Sequence, residues 1–217
     1  MGFKKDALRS DGYTLYSWSC RISEALGLTW SDCDFENGVI HITHALCVRK
    51  CKKEDFPDGS PFYISSPKSK AGIRDIPMFG SVRKVLLEER KNQFRQGFGS
   101  SSVGEYSGFV FVNWNGEPLY PAATNSVIYN IINAYNTDET ALAKMEKREP
   151  ILLPHFSAHT LRHTFCTRLC ETETNIKVIQ EVMGHSNIAV TMDVYADAAL
   201  EQKIISFEKI EDKMVIC

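Results

Sequence analysis

Two stretches decide the fold: Ser157-Ala158-His159-Thr160-Leu161-Arg162-His163 and, downstream, Gly184-His185-Ser186-Asn187-Ile188-Ala189-Val190-Thr191-Met192-Asp193-Val194-Tyr195. The Ser157 hydroxyl is suited to accept from the free backbone N–H groups of a first helical turn, which predicts a helix from Ala158 to Leu169. His159 and Arg162, at i and i+3, then share one face near its N-terminus. A phosphate fits such a place, because the planar guanidinium fork donates two parallel hydrogen bonds and keeps its charge at any working pH. Taken alone, the string fits better an arginine paired with a neighbouring acid and a histidine satisfied in the core. A metal site is a third reading, since His155, His159 and His163 are spaced by four. Pro154 and Ser157 start the helix after His155, and no Asp, Glu or Cys at ligand spacing accompanies the histidines, so metal is set aside.

Working outward, Asn175 to Met183 predicts a helix with Ile176, Ile179, Val182 and Met183 on one face, ended by Gly184. Ser186 or Asn187 caps the next helix, which carries Val190, Met192, Val194 and Tyr195, and Ala198 to Lys209 reads as a further one. A lone tyrosine on such a helix is ordinarily a half-buried packing residue. Upstream, Ser17 to Trp30 has apolar residues at helical spacing (Ile22, Ala25, Leu26, Leu28) and an end at Gly27, which puts Arg21 and Glu24 on one face. Asp34 to Gly38 is a turn, Val39 to Thr43 a β-branched strand, and a longer polar connection follows. Phe62 to Ser65 and Ile73 to Pro77 flank Lys68-Ser69-Lys70-Ala71-Gly72 as a hairpin with two lysines at its tip. Ser81 to Gln96 is an amphipathic helix, Gly97 to Gly108 a loop, Phe109 to Val112 a short buried strand, and Ala122 to about Ala134 a helix. Asn136 to Pro154 has no clear pattern. The fold class is therefore α+β, mainly helical, with a small three-stranded antiparallel sheet on one edge.

The 217 residues, 43% apolar and 24% charged, suit one large domain or two small ones. No run approaches the ~18 to 20 apolar residues of a membrane span, nor does an apolar signal core follow the N-terminal basic residues, which points to a cytoplasmic protein. Seven scattered cysteines without a Cys-x-x-Cys pair suggest neither a disulfide framework nor a zinc ribbon, so reduced, mostly buried thiols are expected. There is no Gly-rich phosphate loop and no His-Glu-x-x-His helix, which leaves nucleotide hydrolysis and zinc proteolysis without footing. Net charge is only −2, which argues against a simple electrostatic DNA binder, but residues 1–95 carry +4 and residues 96–217 carry −6. The basic clusters lie at Arg49 to Lys53, Lys68 to Arg74 and Arg83 to Arg95; each taken singly reads equally well as a solvated face.

In combination the motifs say more. His-x-x-Arg, then Gly-His, then Tyr, preceded by Arg21-Ile-Ser-Glu-Ala-Leu-Gly-Leu-Thr-Trp30 and Pro67-Lys-Ser-Lys-Ala-Gly-Ile-Arg-Asp-Ile-Pro77, resembles the tyrosine recombinase (phage integrase) family over about residues 12–200. The hairpin and the Met-Gly-His-Ser stretch are most similar to integrases of conjugative transposons and related phages. The resemblance implies a catalytic domain at 12–200, an irregular segment at 1–11, and a tail helix at 201–217 that docks on a neighbouring subunit or packs within its own. It implies site-specific cleavage and rejoining of double-stranded DNA through a 3′-phosphotyrosine, for integration and excision of a mobile element, by a tetramer on DNA that needs neither metal, cofactor nor ATP. The chain by itself could be monomeric.

By the same resemblance Arg21 and Arg162 clamp the scissile phosphate, where they oppose charge growing in the transition state. Lys68, or Lys70 in its place, is the general acid for the leaving 5′ oxygen; His159 accepts or relays the nucleophile's proton; His185 hydrogen-bonds the phosphate; Glu24 orients the site. Tyr195 is the nucleophile, and a tyrosine with an ordinary pKa near ~10 needs such a positive surrounding to attack. The sequence departs from the family pattern at Trp18-Ser19-Cys20, where Thr-Gly-x is usual, and at Asp197, where a histidine is common. The helical domain and the arm-binding domain expected upstream are not in these residues, so weak DNA binding is expected. Type IB topoisomerase chemistry and an inactive DNA-binding remnant remain alternatives at this point.

Overall fold

The computed structural model describes residues 19–50, 54, 56, 60–67, 69–97, 99, 101–173 and 175–196. Helix α1 (Ile22–Gly27) is followed by a 3-10 turn (Trp30–Asp32) and strands β1 (Cys33–Asp34), β2 (Val39–Ile42), β3 (Ala45–Val48), β4 (Phe62–Ser65) and β5 (Arg74–Pro77). Then come α2 (Gly80–Gln96), β6 (Ser102–Val103), β7 (Tyr106–Ser107), α3 (Pro121–Glu146), α4 (Ala158–Thr172), α5 (Ile176–Met183) and α6, a helix over 188–196. This is a mainly helical α+β fold with a three-stranded antiparallel sheet, ordered β1-β2-β5. Among the described residues no helix is long and apolar enough to cross a membrane.

Local chemistry explains most boundaries. Arg21 caps α1, its backbone N–H bonding Glu24 Oε2 at 2.9 Å, so the helix begins at Ile22 and is shorter than the apolar spacing suggests. Ser157 Oγ accepts from Thr160 N at the start of α4, Asn175 Oδ1 accepts from Lys177 N at the start of α5, and Asn187 Oδ1 accepts from Ala189 N at 2.9 Å ahead of α6. Because α4 starts at Ala158, His155 lies off it and stacks on Tyr129 at 5.3 Å. Gly184 ends α5 in the left-handed conformation, φ +63°.

Four expectations are corrected. β4 and β5 form no hairpin: β4 pairs with β3, which lies within the supposed polar connection, while β5 pairs with β2 in the other sheet. The segment Lys70–Gly72 is a 3-10 turn between the two sheets, and Lys68 lies outside the described residues. Among the described residues Phe109 to Val112 makes only isolated bridges, Thr29 to Phe109 and Val112 to Pro118, although Phe109 and Val110 are buried. Helix α3 runs on to Glu146, because Glu139 is held by Arg148 and by the Ile151 N–H, which folds the polar 147–151 stretch back along it. The expected helix 198–209 and both terminal segments lie outside the described residues.

The core is divided. Ile40, Ile42 and Ile76 from the sheet pack on Val82 and Leu86 of α2, and Leu26, Leu46 and Phe62 form a second cluster under α1. On the helical side Cys166, Cys170, Ile179 and Met183 join α4 to α5, and Ile128, Ile132 and Leu161 join α3 to α4. Cys33, Cys166 and Cys170 are buried free thiols, and Cys20 and Cys47 are half-buried free ones.

Between these clusters lies a polar joint. The period of two in β5 buries Arg74 together with Ile76, opposite Ile42. Its guanidinium reaches Glu24 of α1, with Nη2 to Oε2 at 2.8 Å, and its Nε donates to the Val182 carbonyl of α5 at 2.9 Å. One residue thereby ties sheet, first helix and C-terminal helices. Both side chains are 5% exposed, and a buried charge of this kind is tolerated only when paired.

Replacing Arg74 by Met should cost about 3 kcal/mol in urea unfolding, toward the low end of the ~3–5 kcal/mol for an orphaned buried charge, because Arg21 still faces Glu24. Combining it with Glu24→Gln should cost less than the sum of the two single changes. Burial works to raise the Glu24 pKa, but hydrogen bonds from Arg74 and Arg21 outweigh it and leave it below the ordinary value. Its contribution is therefore complete above the unfolded value, about 4.3, and is lost as pH falls through the lower folded value. Gly184→Ala should also destabilise, since the left-handed conformation costs about 1–2 kcal/mol for an L side chain, and its Cβ would stand 2.7 Å from Arg74 Nη1. An unchanged urea midpoint in that variant would contradict the packing described.

Candidate active site

Three successive carbonyls at the C-terminal end of α5 each receive an arginine. Arg74 donates to Val182 O, Arg162 Nη2 to Met183 O, and Arg21 Nη2 to Gly184 O at 3.1 Å. A helix C-terminus carries partial negative charge and orphan carbonyls, so it gathers cations from distant parts of the chain. Arg162 also donates through Nη1 to the Ser19 carbonyl, which fixes it from a second side. Among the described residues the only carboxylate bonded to these arginines is Glu24, which takes Arg21 Nη1 at 2.8 Å and both Nη atoms of Arg74. Three guanidiniums against one carboxylate leave the region cationic.

Beside this cluster opens a cavity of about 480 Å³ whose lining includes Arg21, His159, Arg162 and His185. The residues come from the start of α1, the first turns of α4, and the α5–α6 junction, so the fold brings together segments far apart in sequence. His159 is exposed and Arg162 is 6% exposed, one at the mouth and one in the wall. Burial, then the charge of Arg21, push the Arg162 pKa down to about 10, which still leaves it charged at neutral pH. Burial, then Arg162, Arg21 and Arg74, push His185 down to about 4, so its imidazole is neutral. Its Nδ1 lies 3.0 Å from Thr191 Oγ1, and its carbonyl accepts from Gln180 Nε2 at 3.0 Å.

The other expected residues stand apart from this group. Glu24 is behind the wall, 5% exposed, where it holds Arg21 and Arg74. Tyr195 is on α6 with its ring packed against the Cys166, Cys170, Ile179 and Met183 cluster, and it does not line the cavity. Lys70 is exposed on the 3-10 turn. Cys20, in the place where the family pattern has another residue, does line the cavity; burial pushes its thiol up to about 12 against the charge of Arg74, so it stays protonated.

Sequence reasoning missed Arg74 and Thr191. Arg74 stood in a basic cluster that read equally well as a solvated face, although the strand alternation Arg-Asp-Ile-Pro already placed it on the buried side with Ile76. Thr191 precedes Tyr195 by one helical turn and is fully buried, which a threonine among Val190 and Met192 does not signal.

What the cavity offers is a place for one anionic group. Two guanidiniums, a neutral imidazole, an exposed histidine and the N-terminal end of α4 supply hydrogen-bond donors and positive potential in a partly dry wall. Among the described residues no group of three or more His, Cys, Asp or Glu could hold a metal ion.

Comparison with known proteins gives this geometry its context. The phage integrase family matches residues 13–202. The chain is 35% identical over 203 residues to the transposase from transposon Tn916 of Enterococcus faecalis, covering 90% of this chain and 44% of that protein. It is 30% identical over 198 residues to a tyrosine recombinase XerC-like protein of Caldanaerobacter subterraneus subsp. tengcongensis, covering 90% and 46%. Among solved structures it is similar to the Tn1549 transposon integrase in complex with circular intermediate DNA, with TM-score 0.70, 33% identity, and coverage of 91% of this chain and 57% of that one. The crystal structure of XerA recombinase, at 19% identity and TM-score 0.56, shares the fold. The chain spans about half the length of the curated relatives it matches. With 13–202 matched and the tyrosine recombinase catalytic-domain fold in place, this chain belongs to the phage integrase family.

Proposed function

We propose that this chain is the catalytic domain of a site-specific recombinase that cleaves and rejoins double-stranded DNA to integrate and excise a mobile element, acting in the cytoplasm. The observation that carries the reading is the convergence of Arg21, His159, Arg162 and His185 on one cationic cavity. A phosphodiester is the DNA group that two guanidiniums and two imidazoles complement. That the relatives are named as transposases and recombinases supports this reading over DNA relaxation without strand exchange.

In this reading the Tyr195 oxygen attacks the scissile phosphorus while the bond to the 5′ oxygen breaks. His159 takes or relays the tyrosine proton, and Lys68 gives a proton to the leaving oxygen, with Lys70 as the substitute. Arg21, Arg162 and His185 donate to the non-bridging oxygens, which carry more charge in the transition state than in the ground state. The 3′-phosphotyrosine keeps the phosphodiester energy, so a 5′ hydroxyl from another strand reverses the step without ATP, metal or cofactor. Because Tyr195 packs on the α4–α5 core and not in the cavity, the reaction includes a movement of the Tyr195 end of α6 that carries it to the phosphate while Thr191 keeps its bond to His185. Residues 12–200 form the catalytic domain in this account, and 201–217 supply a tail that docks on a neighbouring subunit of a DNA-bound tetramer.

A DNA site with a bridging sulfur at the scissile 5′ position should give a covalent protein–DNA band, which Tyr195→Phe abolishes and Arg162→Ala slows by roughly 10²–10³-fold. An adduct that survives Tyr195→Phe would overturn the assignment of the nucleophile. By NMR titration the His185 ring should show an apparent pKa of about 4 in the free protein. Bound DNA should raise it, because phosphate charge offsets the arginines. A free-protein value near the ordinary ~6.5 would contradict the electrostatics of the cavity.

A further inference from the structure

We infer that Thr191 is a positioning residue: its hydroxyl donates to Nδ1 of His185, fixes the tautomer with the proton on Nε2, and so makes His185 a donor to a phosphate oxygen. The inference rests on the proposed reading only for the identity of the anion. The tautomer itself follows from the hydrogen-bond geometry together with the charges around the ring.

Thr191 is 0% exposed and its Oγ1 lies 3.0 Å from His185 Nδ1. Most other helical threonines behave differently: Thr164, Thr167 and Thr172 on α4, like Thr137 and Thr140 on α3, turn their hydroxyls back to the carbonyl four residues earlier. That back-bond is the usual use of a threonine hydroxyl inside a helix. Thr191 instead spends its hydroxyl on the ring that lines the cavity.

The direction of the bond follows from the charges around the ring. Arg162, Arg21 and Arg74 all stand near His185, and an imidazolium among three guanidiniums is disfavoured, so the ring carries a single proton. Were that proton on Nδ1, it would point at Thr191 Oγ1, and the hydroxyl proton would have no acceptor among the described residues. Nε2 would then be a lone pair at the cavity, repelling an anionic oxygen. With the hydroxyl donating to Nδ1, both groups are satisfied and Nε2–H is left for the ligand. The His185 backbone is held as well, N–H to Gln180 O at 3.1 Å and carbonyl from Gln180 Nε2, so the ring starts from a fixed point and Thr191 is its bonded partner.

There is a second consequence. Thr191 and Tyr195 are four residues apart and share a face of α6. The helix that brings the proposed nucleophile also carries the group that sets the proton on His185, so the donor to the phosphate and the nucleophile are placed by the same element.

The test is made on the full chain with two independent readouts. In the unaltered protein, ring-nitrogen shifts from a long-range nitrogen–proton NMR spectrum should show His185 Nδ1 unprotonated and Nε2 protonated. The opposite assignment, or a rapidly exchanging mixture, overturns the inference whatever the DNA chemistry. Thr191→Val keeps the shape and removes the donor, and should release the ring to a tautomer mixture. With the sulfur-bridged DNA site it should lower the single-turnover cleavage rate by about 10–100-fold at unchanged DNA affinity. Thr191→Ser keeps the hydroxyl and should restore both the nitrogen pattern and most of the rate. A Thr191→Val protein that is folded, retains the wild-type nitrogen pattern and cleaves at the wild-type rate shows the bond to be incidental. Absence of cleavage in the unaltered chain with the expected nitrogen pattern counts against the proposed function and leaves the positioning role standing. Should Thr191→Val fail to fold, the unaltered protein's nitrogen assignment and the Thr191→Ser rate decide.

Discussion

The end of helix α5 is the constraint on which the remainder depends. Its last carbonyls, on Val182, Met183 and Gly184, are each bonded by an arginine from a different part of the chain: Arg74 from the sheet, Arg162 from α4, and Arg21 from the entrance to α1. Guanidiniums repel one another, and three of them assemble only because the helix end and the Glu24 carboxylate offset that repulsion. Gly184 is indispensable to this arrangement on two grounds, its positive φ and the 2.7 Å that a Cβ would leave to Arg74. Structure and function share one feature here, since the contacts that join the sheet half to the helical half also concentrate the charge that lines the cavity.

That sharing explains how a chain of near-neutral net charge presents a cationic cavity. The −2 of the whole sequence says little about a local field created by three arginines and one carboxylate. His185 is neutral because burial and then the arginines disfavour its charged form, whereas Cys20 remains a thiol because burial outweighs the opposing charge of Arg74. A neutral imidazole donating through one nitrogen binds an anion without adding to the crowd of positive charges. The nucleophile proposed in this account, Tyr195, packs outside the cluster, so the Tyr195 end of α6 is the part with a motion to make.

Much of this was legible in the sequence. The caps of α4 and α5 follow from Ser157, Asn175 and Gly184, whose preferences are local, and the shared face of His159 and Arg162 follows from spacing alone. Arg21 and Glu24 were correctly placed together for the same reason. What failed was non-local. Strand pairing could not be read from Phe62 to Pro77, because a turn-like Lys-Ser-Lys-Ala-Gly between two β-rich runs has the same appearance whether it closes a hairpin or passes from one sheet to another. The length of α3 depended on Arg148 and Ile151 reaching back to Glu139, a contact no window of apolar spacing contains. Arg74 was hidden for a similar reason: its partners are fifty residues before it and more than a hundred after it, and its charge suggested solvent.

The most direct test of the central claim, that this arginine-lined cavity is where a DNA phosphate is held, is the structure of this chain bound to a duplex carrying its cleavage site. The account predicts one backbone phosphate inside the cavity, with non-bridging oxygens about 3 Å from N–H groups of Arg21 and Arg162 and from His185 Nε2. It also predicts Tyr195 drawn toward the phosphorus from its place against the Cys166, Cys170, Ile179 and Met183 cluster. A complex in which the DNA lies on another face and the cavity holds only solvent would contradict it.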